Sequence, residues 1–255
     1  MDRNDILASL VSMSNELGDP RNDFVILGEG NTSARLGEDT FAVKASGTSL
    51  CSIHAGQFVE VSFEGVLALL DREDAGDEDV KTALEAARVD SSSPLRPSVE
   101  TVLHASLLSL PGINFVGHTH PTAVNSILCS VNWREAVSGR MFPDEIVSCG
   151  IAPVVVEYVD PGLPLARELH RRVRDFMDGV GTPPRVVLMQ NHGMIALGSS
   201  PTDVISITAM SVKAARVLAG TQAFGGPHFL SEQNVLRIHS RPDELYRMKQ
   251  IRGQA

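Results

Sequence analysis

The sequence has 255 residues, of which 43% are hydrophobic and 21% charged, as in ordinary soluble globular proteins. Its net charge of −9, from 22 basic and 31 acidic side chains, argues against broad nucleic-acid binding, which needs a basic face, but leaves a small anionic ligand open. Three cysteines without a CxxC pair indicate neither a disulfide framework nor a cysteine zinc site. There is no signal-peptide pattern and no apolar run of about 18 residues, so we expect no membrane segment and a cytoplasmic location.

Helix-like and strand-like segments alternate along the chain. Short β-rich runs between turn residues predict strands at 24–27, 33–36, 40–44, 57–63, 113–117, 152–159, 185–189 and 194–197. Near-3.6 apolar spacing predicts helices at 4–17, 65–89 with a break near Gly76, 101–110 behind an N-cap at Ser98, 121–129, 165–178 and 201–218. Because tight turns join several neighbouring strands, we expect antiparallel pairs in one domain over 1–255, with 225–255 as a C-terminal arm.

The first candidate for chemistry is the pair His118 and His120, directly after a predicted strand. In extended backbone, residues two apart point to the same side, so both imidazoles project together. Catalytic zinc sites use three protein ligands, with histidine nitrogen favoured, and keep one position open. Alone, such a pair is more often a surface or core feature. His192, at the end of another predicted strand, completes a set of three, and Gly193 is expected to allow the turn that presents its ring.

Glu100 and His104 lie four residues apart on one face of a predicted helix. Such a pair is common on solvated faces. Here most neighbouring residues are apolar, so the carboxylate is expected to be partly buried and to need a partner such as a metal. We interpret His104 either as a packed core residue or as a side chain that supports the site.

Two loops of small and hydroxyl residues, 28–33 (GEGNTS) and 44–49 (KASGTS), suit anion binding because backbone N–H groups can approach an oxyanion closely. Each loop alone is equally compatible with ordinary turn chemistry. The first is not a dinucleotide-binding fingerprint, because its third glycine is missing.

The ordered set GEGNTSAR, KASGTSL, RPSVETVLH, GHTHP and QNHG resembles the class II aldolase/adducin family over about residues 27–219. The motifs RPSVETVLHA and GNTSA are most similar to those in the aldolase part of fusion-type rhamnulose-1-phosphate aldolases, here without the dehydrogenase part. Fuculose-1-phosphate aldolase and ribulose-5-phosphate 4-epimerase are wider relatives.

The resemblance implies a role for each motif. The three histidines match the zinc ligands, and Glu100 matches the catalytic glutamate, which can also touch the resting metal. Val99 replaces a serine that contacts phosphate in fuculose-phosphate aldolases. The implied fold is a three-layer α/β/α sandwich on a mixed, largely antiparallel sheet, assembled as a cyclic homotetramer with active sites between subunits. The implied contacts to the substrate phosphate are Gly30, Asn31, Ser46, Gly47 and Ser98.

The implied reaction is metal-dependent cleavage of a ketose 1-phosphate to dihydroxyacetone phosphate and a short aldehyde. The metal offsets charge on the carbonyl oxygen, so no catalytic lysine is needed, and none stands out. A proton shuttle at Glu100 suits a pKa nearer neutrality than that of a free glutamate, about 4.3. Zinc is inferred from ligand type, and manganese, iron or cobalt also fit. No tyrosine lies at 139–142 to handle the aldehyde oxygen, and neither Tyr158 nor Tyr246 is assigned.

Other readings keep or discard the metal site. A sugar-phosphate epimerase carries Asp at the position of Glu100, and a sugar-acid phosphate decarboxylase would use the same site. A metallo-β-lactamase-type hydrolase needs His-x-His-x-Asp-His, whereas Pro121 and Thr122 follow the pair here. Non-catalytic adducin-like scaffolds lack the histidines that this chain retains.

Overall fold

Seven strands form one mixed sheet in the computed structural model, which describes residues 2–72, 74–244 and 246. The strand order is β3-β2-β1-β4-β7-β6-β5, and every neighbouring pair is antiparallel except β5 with β6. This confirms the predicted mixed, largely antiparallel sheet. The strands are β1 (Asn31–Arg35), β2 (Thr40–Lys44), β3 (Phe58–Ser62), β4 (Phe115–Thr119), β5 (Val154–Val156), β6 (Val186–Met189) and β7 (Gly193–Gly198).

Helices cover both faces of the sheet and complete the three predicted layers. In the described chain they are α1 (Arg3–Leu17), α2 (Phe63–Leu67), α3 (Asp77–Ala86), α4 (Thr101–Leu108), α5 (Thr122–Leu128), α6 (Trp133–Ala136), α7 (Pro143–Cys149), α8 (Leu163–Val180), α9 (Pro201–Thr221) and α10 (Glu232–Ser240). Helices α2, α3, α4 and α8 share a hydrophobic cluster with one face of the sheet. Helices α1, α5 and α9 share a second cluster with the other face.

Period-two alternation sorts the strand side chains between these clusters. In β7, Ile195 and Leu197 pack on the α4 side, whereas Met194 and Ala196 pack on the α9 side. Both sets are buried, because helices cover both faces of the strand. The sheet centre is therefore apolar on both sides, and the polar residues of the site stand out against it.

The predicted strand at 24–27 is wrong, because this segment is a loop. Leu27 has a positive φ of 51°, and Ile26 and Leu27 are exposed although they are apolar. The segment does not pair with a strand, but the carbonyl oxygen of Phe24 accepts a hydrogen bond from the His120 N–H at 2.9 Å. This loop therefore anchors one of the candidate metal ligands.

Several other boundaries differ from the predictions. Helix α4 begins at Thr101 with Glu100 at the N-cap position, two residues after the predicted cap. The predicted break near Gly76 in the helical stretch 65–89 is confirmed, since Gly76 is the N-cap of α3, but α2 ends earlier than expected, at Leu67. Helices α6, α7 and α10 were not predicted. In the predicted arm, α10 packs on α7, and residues 247–255 lie outside the described residues.

One helix of the described chain, over residues 201–224, is long and apolar enough to cross a membrane, with a mean hydropathy of 1.3. Core helices of soluble proteins meet the same criterion. This helix contains α9, which packs on β7 and on α7. The expectation of no membrane segment stays a prediction.

Candidate metal centre and active site

Strand β4 and the turn before β7 bring the three predicted histidines together. His118 lies in β4 and His120 follows it, while His192 precedes β7, which pairs with β4. One ligand nitrogen from each ring lies within 4.8 Å of the other two. The Nε2 atoms of His118 and His120 are 2.9 Å apart. The histidines are 74 residues apart at most in sequence (192 − 118) and converge because their two strands are neighbours.

A backbone contact determines which nitrogen of His118 faces the cluster. Its Nδ1 lies 3.0 Å from the carbonyl oxygen of Met194, which can only accept, so Nδ1 carries the proton and donates. This leaves Nε2 as the ring nitrogen that faces the other two rings. Metal-bound histidines usually donate their second N–H in this way, which fixes the ring and its tautomer.

The turn that presents His192 depends on its two neighbours in different ways. Asn191 has the positive φ, 53°, that we had expected Gly193 to provide. Gly193 is needed for close packing, since an added Cβ would lie 2.6 Å from the Thr119 carbonyl oxygen and 2.7 Å from His120 Cδ2. The glycine thus lets β7 approach the histidine pair on β4.

Substituting Gly193→Ala is therefore expected to lower both metal content and thermal stability. A methyl group at that distance from backbone forces β7 away from β4, at a cost of about 1–3 kcal/mol. This corresponds to a fall of roughly 2–12 °C in Tm for a chain of this size. Thermal unfolding and metal analysis measure the effect. Gly179→Ala is the control, because an added Cβ there meets nothing within 4 Å. Equal behaviour of the two variants would contradict this packing role.

Glu100 is buried beside the three histidines at the start of α4. Its Oε1 lies 3.3 Å from His192 Nε2, and its Oε2 lies 3.6 Å from His118 Nε2. Oε2 accepts a hydrogen bond of 2.6 Å from Asn31 Nδ2, whereas Oε1 has no hydrogen-bond partner. One carboxylate oxygen is thus held by the protein and the other is left facing the cluster.

The pKa of Glu100 does not move toward neutrality as we had expected. Burial raises it, but the charge of His118, the hydrogen bond from Asn31 and the charge of His192 together lower the pKa of Glu100 to about 2. The carboxylate is therefore ionised at neutral pH. This is the form that binds a metal or accepts a proton.

The two other ligand candidates are neutral at pH 7. Burial, followed by the effect of His118, lowers the pKa of His120 to about 3 and that of His192 to about 4. Neutral imidazoles offer lone pairs, which a metal requires.

The donor set fits a divalent metal. Nitrogens bound to zinc at about 2.0–2.1 Å in a tetrahedron stand roughly 3.3 Å apart, close to the separation of His118 and His120 Nε2. A cation between the rings also gives the unpartnered Glu100 Oε1 a counter-charge. Three histidines with one carboxylate are compatible with zinc and with other transition metals.

The predicted phosphate contacts come from three segments. Gly30 has a φ of 67°, and an added Cβ would lie 2.5 Å from the His118 carbonyl oxygen, so this position needs glycine. The Asn31 amide group is engaged by Glu100 and His104. An antiparallel bridge between Ala45 and Pro97 joins the loop that holds Ser46 and Gly47 to the segment before Ser98, and the Ser46 N–H donates to the Arg96 carbonyl oxygen at 2.9 Å. The phosphate role of these residues stays a prediction.

Lys44 is a buried residue near the site that the sequence reasoning missed. It is the last residue of β2, and its Nζ donates a hydrogen bond of 3.2 Å to the Gly28 carbonyl oxygen. Burial lowers the pKa of Lys44, and the charge of Glu100 partly offsets this. The lysine therefore places a positive charge between the two small-residue loops. Its position as the first residue of the motif KASGTS was the available signal.

The polar side chains at 139–142 and at Tyr158 are bonded outside the histidine cluster. At 139–142, Arg140 is buried, pairs with Glu145 at 3.1 Å and donates to the carbonyl oxygens of Cys149 and Gly150. The Tyr158 hydroxyl donates to Asp160 at 3.0 Å in a half-exposed position. Both side chains are thus engaged elsewhere.

A mixed sheet between two helical layers, with three histidines and a glutamate at the end of its central strands, defines a class II aldolase-like protein. The chain belongs to the family described as Class II Aldolase and Adducin N-terminal domain, whose model matches residues 8–219.

Similar proteins carry different activities. The chain is 33% identical over 201 residues to an uncharacterized oxidoreductase, YuxG, of Bacillus subtilis, covering 75% of this chain but only 26% of that protein. It is 26% identical over 181 residues to methylthioribulose-1-phosphate dehydratase of Sorangium cellulosum, covering 69% and 74% of the two chains. The family relationship therefore does not by itself select the reaction.

Solved structures share the fold. An L-fuculose 1-phosphate aldolase superposes with a TM-score of 0.69 at 19% identity and covers 94% of this chain and 96% of its own. The N-terminal class II aldolase domain of a Thermoplasma acidophilum protein gives a TM-score of 0.68 at 27% identity, covering 84% and 93%.

Proposed function

We propose that this protein is a zinc-dependent aldehyde-lyase that cleaves a ketose 1-phosphate of rhamnulose or fuculose type to dihydroxyacetone phosphate and a short aldehyde. The observation that carries the proposal is the unpartnered Oε1 of Glu100, 3.3 Å from His192 Nε2 and inside the cluster of three histidines. An ionised acid/base group and a metal donor set thus converge on one point, as carbanion chemistry next to a carbonyl group requires.

His118, His120 and His192 would hold the metal, with Glu100 able to contact it in the resting state. When bound, the metal supplies a Lewis acid that stabilises negative charge on a substrate carbonyl oxygen. The chain itself presents neutral imidazoles for this purpose and fixes the His118 ring through the Met194 carbonyl oxygen. No Schiff base is required.

Glu100 would move the proton at the substrate carbon next to the carbonyl group. Cleavage of the carbon–carbon bond leaves the electron pair on that carbon, and the carbon must gain a proton before dihydroxyacetone phosphate leaves. In the reverse direction the carboxylate removes the same proton. The bond from Asn31 to Oε2 leaves Oε1 as the oxygen that faces the reacting carbon.

The substrate phosphate is proposed to lie between the two small-residue loops and the segment before Glu100. Its contacts would be Gly30 and Asn31, the latter through its backbone, together with Ser46, Gly47 and Ser98. Lys44 would add a charged contact where Val99 lacks the hydroxyl of the serine that it replaces. A buried cation with a carbonyl oxygen as partner suits a dianion on an acidic protein.

Lys44→Met is expected to raise KM for a phosphorylated ketose by about 10–100-fold with a smaller effect on kcat. Methionine keeps most of the apolar stem and removes the charge, so the loss falls on phosphate binding. Steady-state kinetics with a phosphorylated and an unphosphorylated ketose measure the effect. Only the KM for the phosphorylated ketose should differ between the variant and wild type. Lys81→Met is the control, because Lys81 is exposed and pairs with Glu78. An unchanged KM in Lys44→Met would remove the lysine from the phosphate site.

The competing reactions use the same site. A dehydratase of a ketose phosphate is the second candidate, favoured by the similarity to methylthioribulose-1-phosphate dehydratase. A sugar-phosphate epimerase and a sugar-acid phosphate decarboxylase share the metal and the stabilised carbanion. An adducin-like scaffold is disfavoured because all three histidines are retained.

Product analysis by mass spectrometry separates these reactions. The metal-loaded protein is incubated with rhamnulose 1-phosphate and with fuculose 1-phosphate. Dihydroxyacetone phosphate from either sugar supports the aldolase and identifies its branch. Loss of one water indicates the dehydratase, and an isomer of unchanged mass indicates an epimerase. Metal-loaded protein that converts neither sugar contradicts the proposed substrates.

We further propose that residues 1–255 act as a single domain in a cytoplasmic homotetramer. Three free cysteines, two of them exposed, are compatible with a reducing compartment. The exposed Ile26 and Leu27 beside the site suit coverage by a neighbouring subunit.

A further inference from the structure

Four side chains form an unbroken line of hydrogen bonds behind the metal centre. The Ser33 hydroxyl lies 2.6 Å from His104 Nδ1. His104 Nε2 bonds the Asn31 amide oxygen, and Asn31 Nδ2 donates to Glu100 Oε2 at 2.6 Å. All four residues are buried, and His104 and Ser33 are fully enclosed. The line ends on the carboxylate proposed to be the acid/base group.

Matching repeats in a strand and a helix produce this line. Asn31 and Ser33 are two apart in β1, so they point to the same face and lie about 6.6–6.8 Å apart along the strand. Glu100 and His104 are four apart at the start of α4, about 6 Å along the helix axis. The two pairs therefore interleave across the contact between α4 and β1. Thr32, between the two strand residues, points the other way and bonds Ser14 of α1.

The line has one consistent direction. Asn31 turns its NH₂ group toward the Glu100 carboxylate and its oxygen toward His104 Nε2. That oxygen can only accept, so Nε2 of His104 carries a proton. His104 is fully buried, which disfavours a charged ring, so Nδ1 accepts the hydrogen bond from the Ser33 hydroxyl at 2.6 Å.

We propose that His104 is a positioning residue for the reaction, which fixes the Asn31 amide group so that its N–H holds Glu100 Oε2 and leaves Oε1 free. Without a donor at His104, the Asn31 oxygen is left buried and unpaired, and the amide group can rotate to face the carboxylate with its oxygen. The Glu100 carboxylate then loses its one hydrogen bond in the described part of the chain, and with it its fixed orientation. The effect on turnover rests on the proposed function, whereas the tautomer and the amide orientation do not.

The tautomer is tested first, on the full-length protein, with two-bond ¹H–¹⁵N correlation spectra of its histidines at pH 7. The proposal predicts that His104, assigned by its absence in His104→Gln, is neutral with the proton on Nε2. A proton on Nδ1, or a charged ring, overturns the proposal whatever the enzyme's activity. Ser33→Ala removes the donor to Nδ1 with little change in volume and is expected to admit some of the Nδ1–H form. An unchanged pure Nε2–H spectrum in Ser33→Ala would contradict the role given to Ser33.

The effect on turnover is tested with His104→Leu, His104→Gln and the control His170→Leu. His170 is a half-buried histidine that also bonds a serine, Ser106, but lies outside the line. His104→Leu is expected to lower kcat about 10–100-fold with metal content and KM nearly unchanged. His104→Gln keeps a donor for Asn31 and is expected to recover most of that loss in kcat. His170→Leu is expected to resemble wild type.

Equal losses of kcat in His104→Leu and His104→Gln that remain folded, or no loss in either, overturn the proposal. Should His104→Leu not fold, the histidine spectra of wild type and Ser33→Ala still decide the tautomer, and a kcat of His104→Gln far below that of wild type overturns the proposal. Absence of aldolase activity in wild type, with the Nε2–H tautomer present, would instead refute the proposed function alone.

Discussion

Glu100→Gln is expected to lower kcat by about 10²–10⁴-fold while the protein keeps its metal. Glutamine has nearly the same shape, and its oxygen can still accept from Asn31, so the local packing survives. It cannot take up a proton from carbon. Measurement of kcat together with metal content by mass spectrometry separates loss of chemistry from loss of the metal.

The control for this variant is Glu29→Gln. Glu29 also carries a carboxylate near the cluster, 3.9 Å from His120. It lies on a loop, where the carboxylate accepts a hydrogen bond from the Ile26 N–H. If removal of a negative charge near the metal were enough to stop turnover, kcat would fall equally in both variants. We expect Glu29→Gln to remain within a few-fold of wild type. Near-normal activity of Glu100→Gln would remove Glu100 from the mechanism.

His120→Ala is expected to lose both metal and activity while the fold survives. Its side chain is 21% exposed and lies just beyond the end of β4, so its removal leaves no enclosed cavity. The remaining two histidines and one glutamate bind a metal less tightly. Loss of a residue that only supports a ligand typically lowers metal affinity about 10–100-fold, and loss of the ligand itself is expected to lower it more. Metal content, circular dichroism and turnover are measured together.

His54→Ala is the matched control, because His54 is exposed and is not one of the clustered histidines. It should keep metal and activity. Unchanged metal content in His120→Ala would overturn its assignment as a ligand, and an unfolded protein would show that the ring is needed for packing.

The three histidines were predictable because two simple rules placed them. Alternation in a strand puts His118 and His120 on one side, and each of the two segments ends a predicted strand. What the sequence could not show is that β4 and β7 are neighbours, since strand order depends on long-range pairing. The family resemblance supplied that step, and the fold confirms it.

The errors have local physical causes. The run at 24–27 has the composition of a strand, but positive φ angles at Asp23, just before it, and at Leu27, its last residue, turn it away from the sheet. The short helices α6 and α7 carry too few residues for a periodic signal. Lys44 was overlooked because burial of a lysine is unusual and is invisible without the loop that covers it.

The bonds behind Glu100 were also beyond the sequence. The pair Glu100 and His104 was visible as a helical repeat, but its partners Asn31 and Ser33 come from a strand about 70 residues earlier. Only their packing shows that Asn31 holds the carboxylate. Burial raises the pKa of Glu100, but the charge of His118, with the hydrogen bond from Asn31 and the charge of His192, lowers it to about 2.

The most direct test of the central claim is a titration of the metal-free protein with zinc while release of dihydroxyacetone phosphate from rhamnulose 1-phosphate and from fuculose 1-phosphate is followed. If the three histidines and Glu100 form the catalytic centre, the rate should rise with added zinc and level off at about one ion per chain. Product release that does not depend on metal would contradict the proposed centre. Stoichiometric zinc binding with no cleavage of either sugar would contradict the proposed reaction.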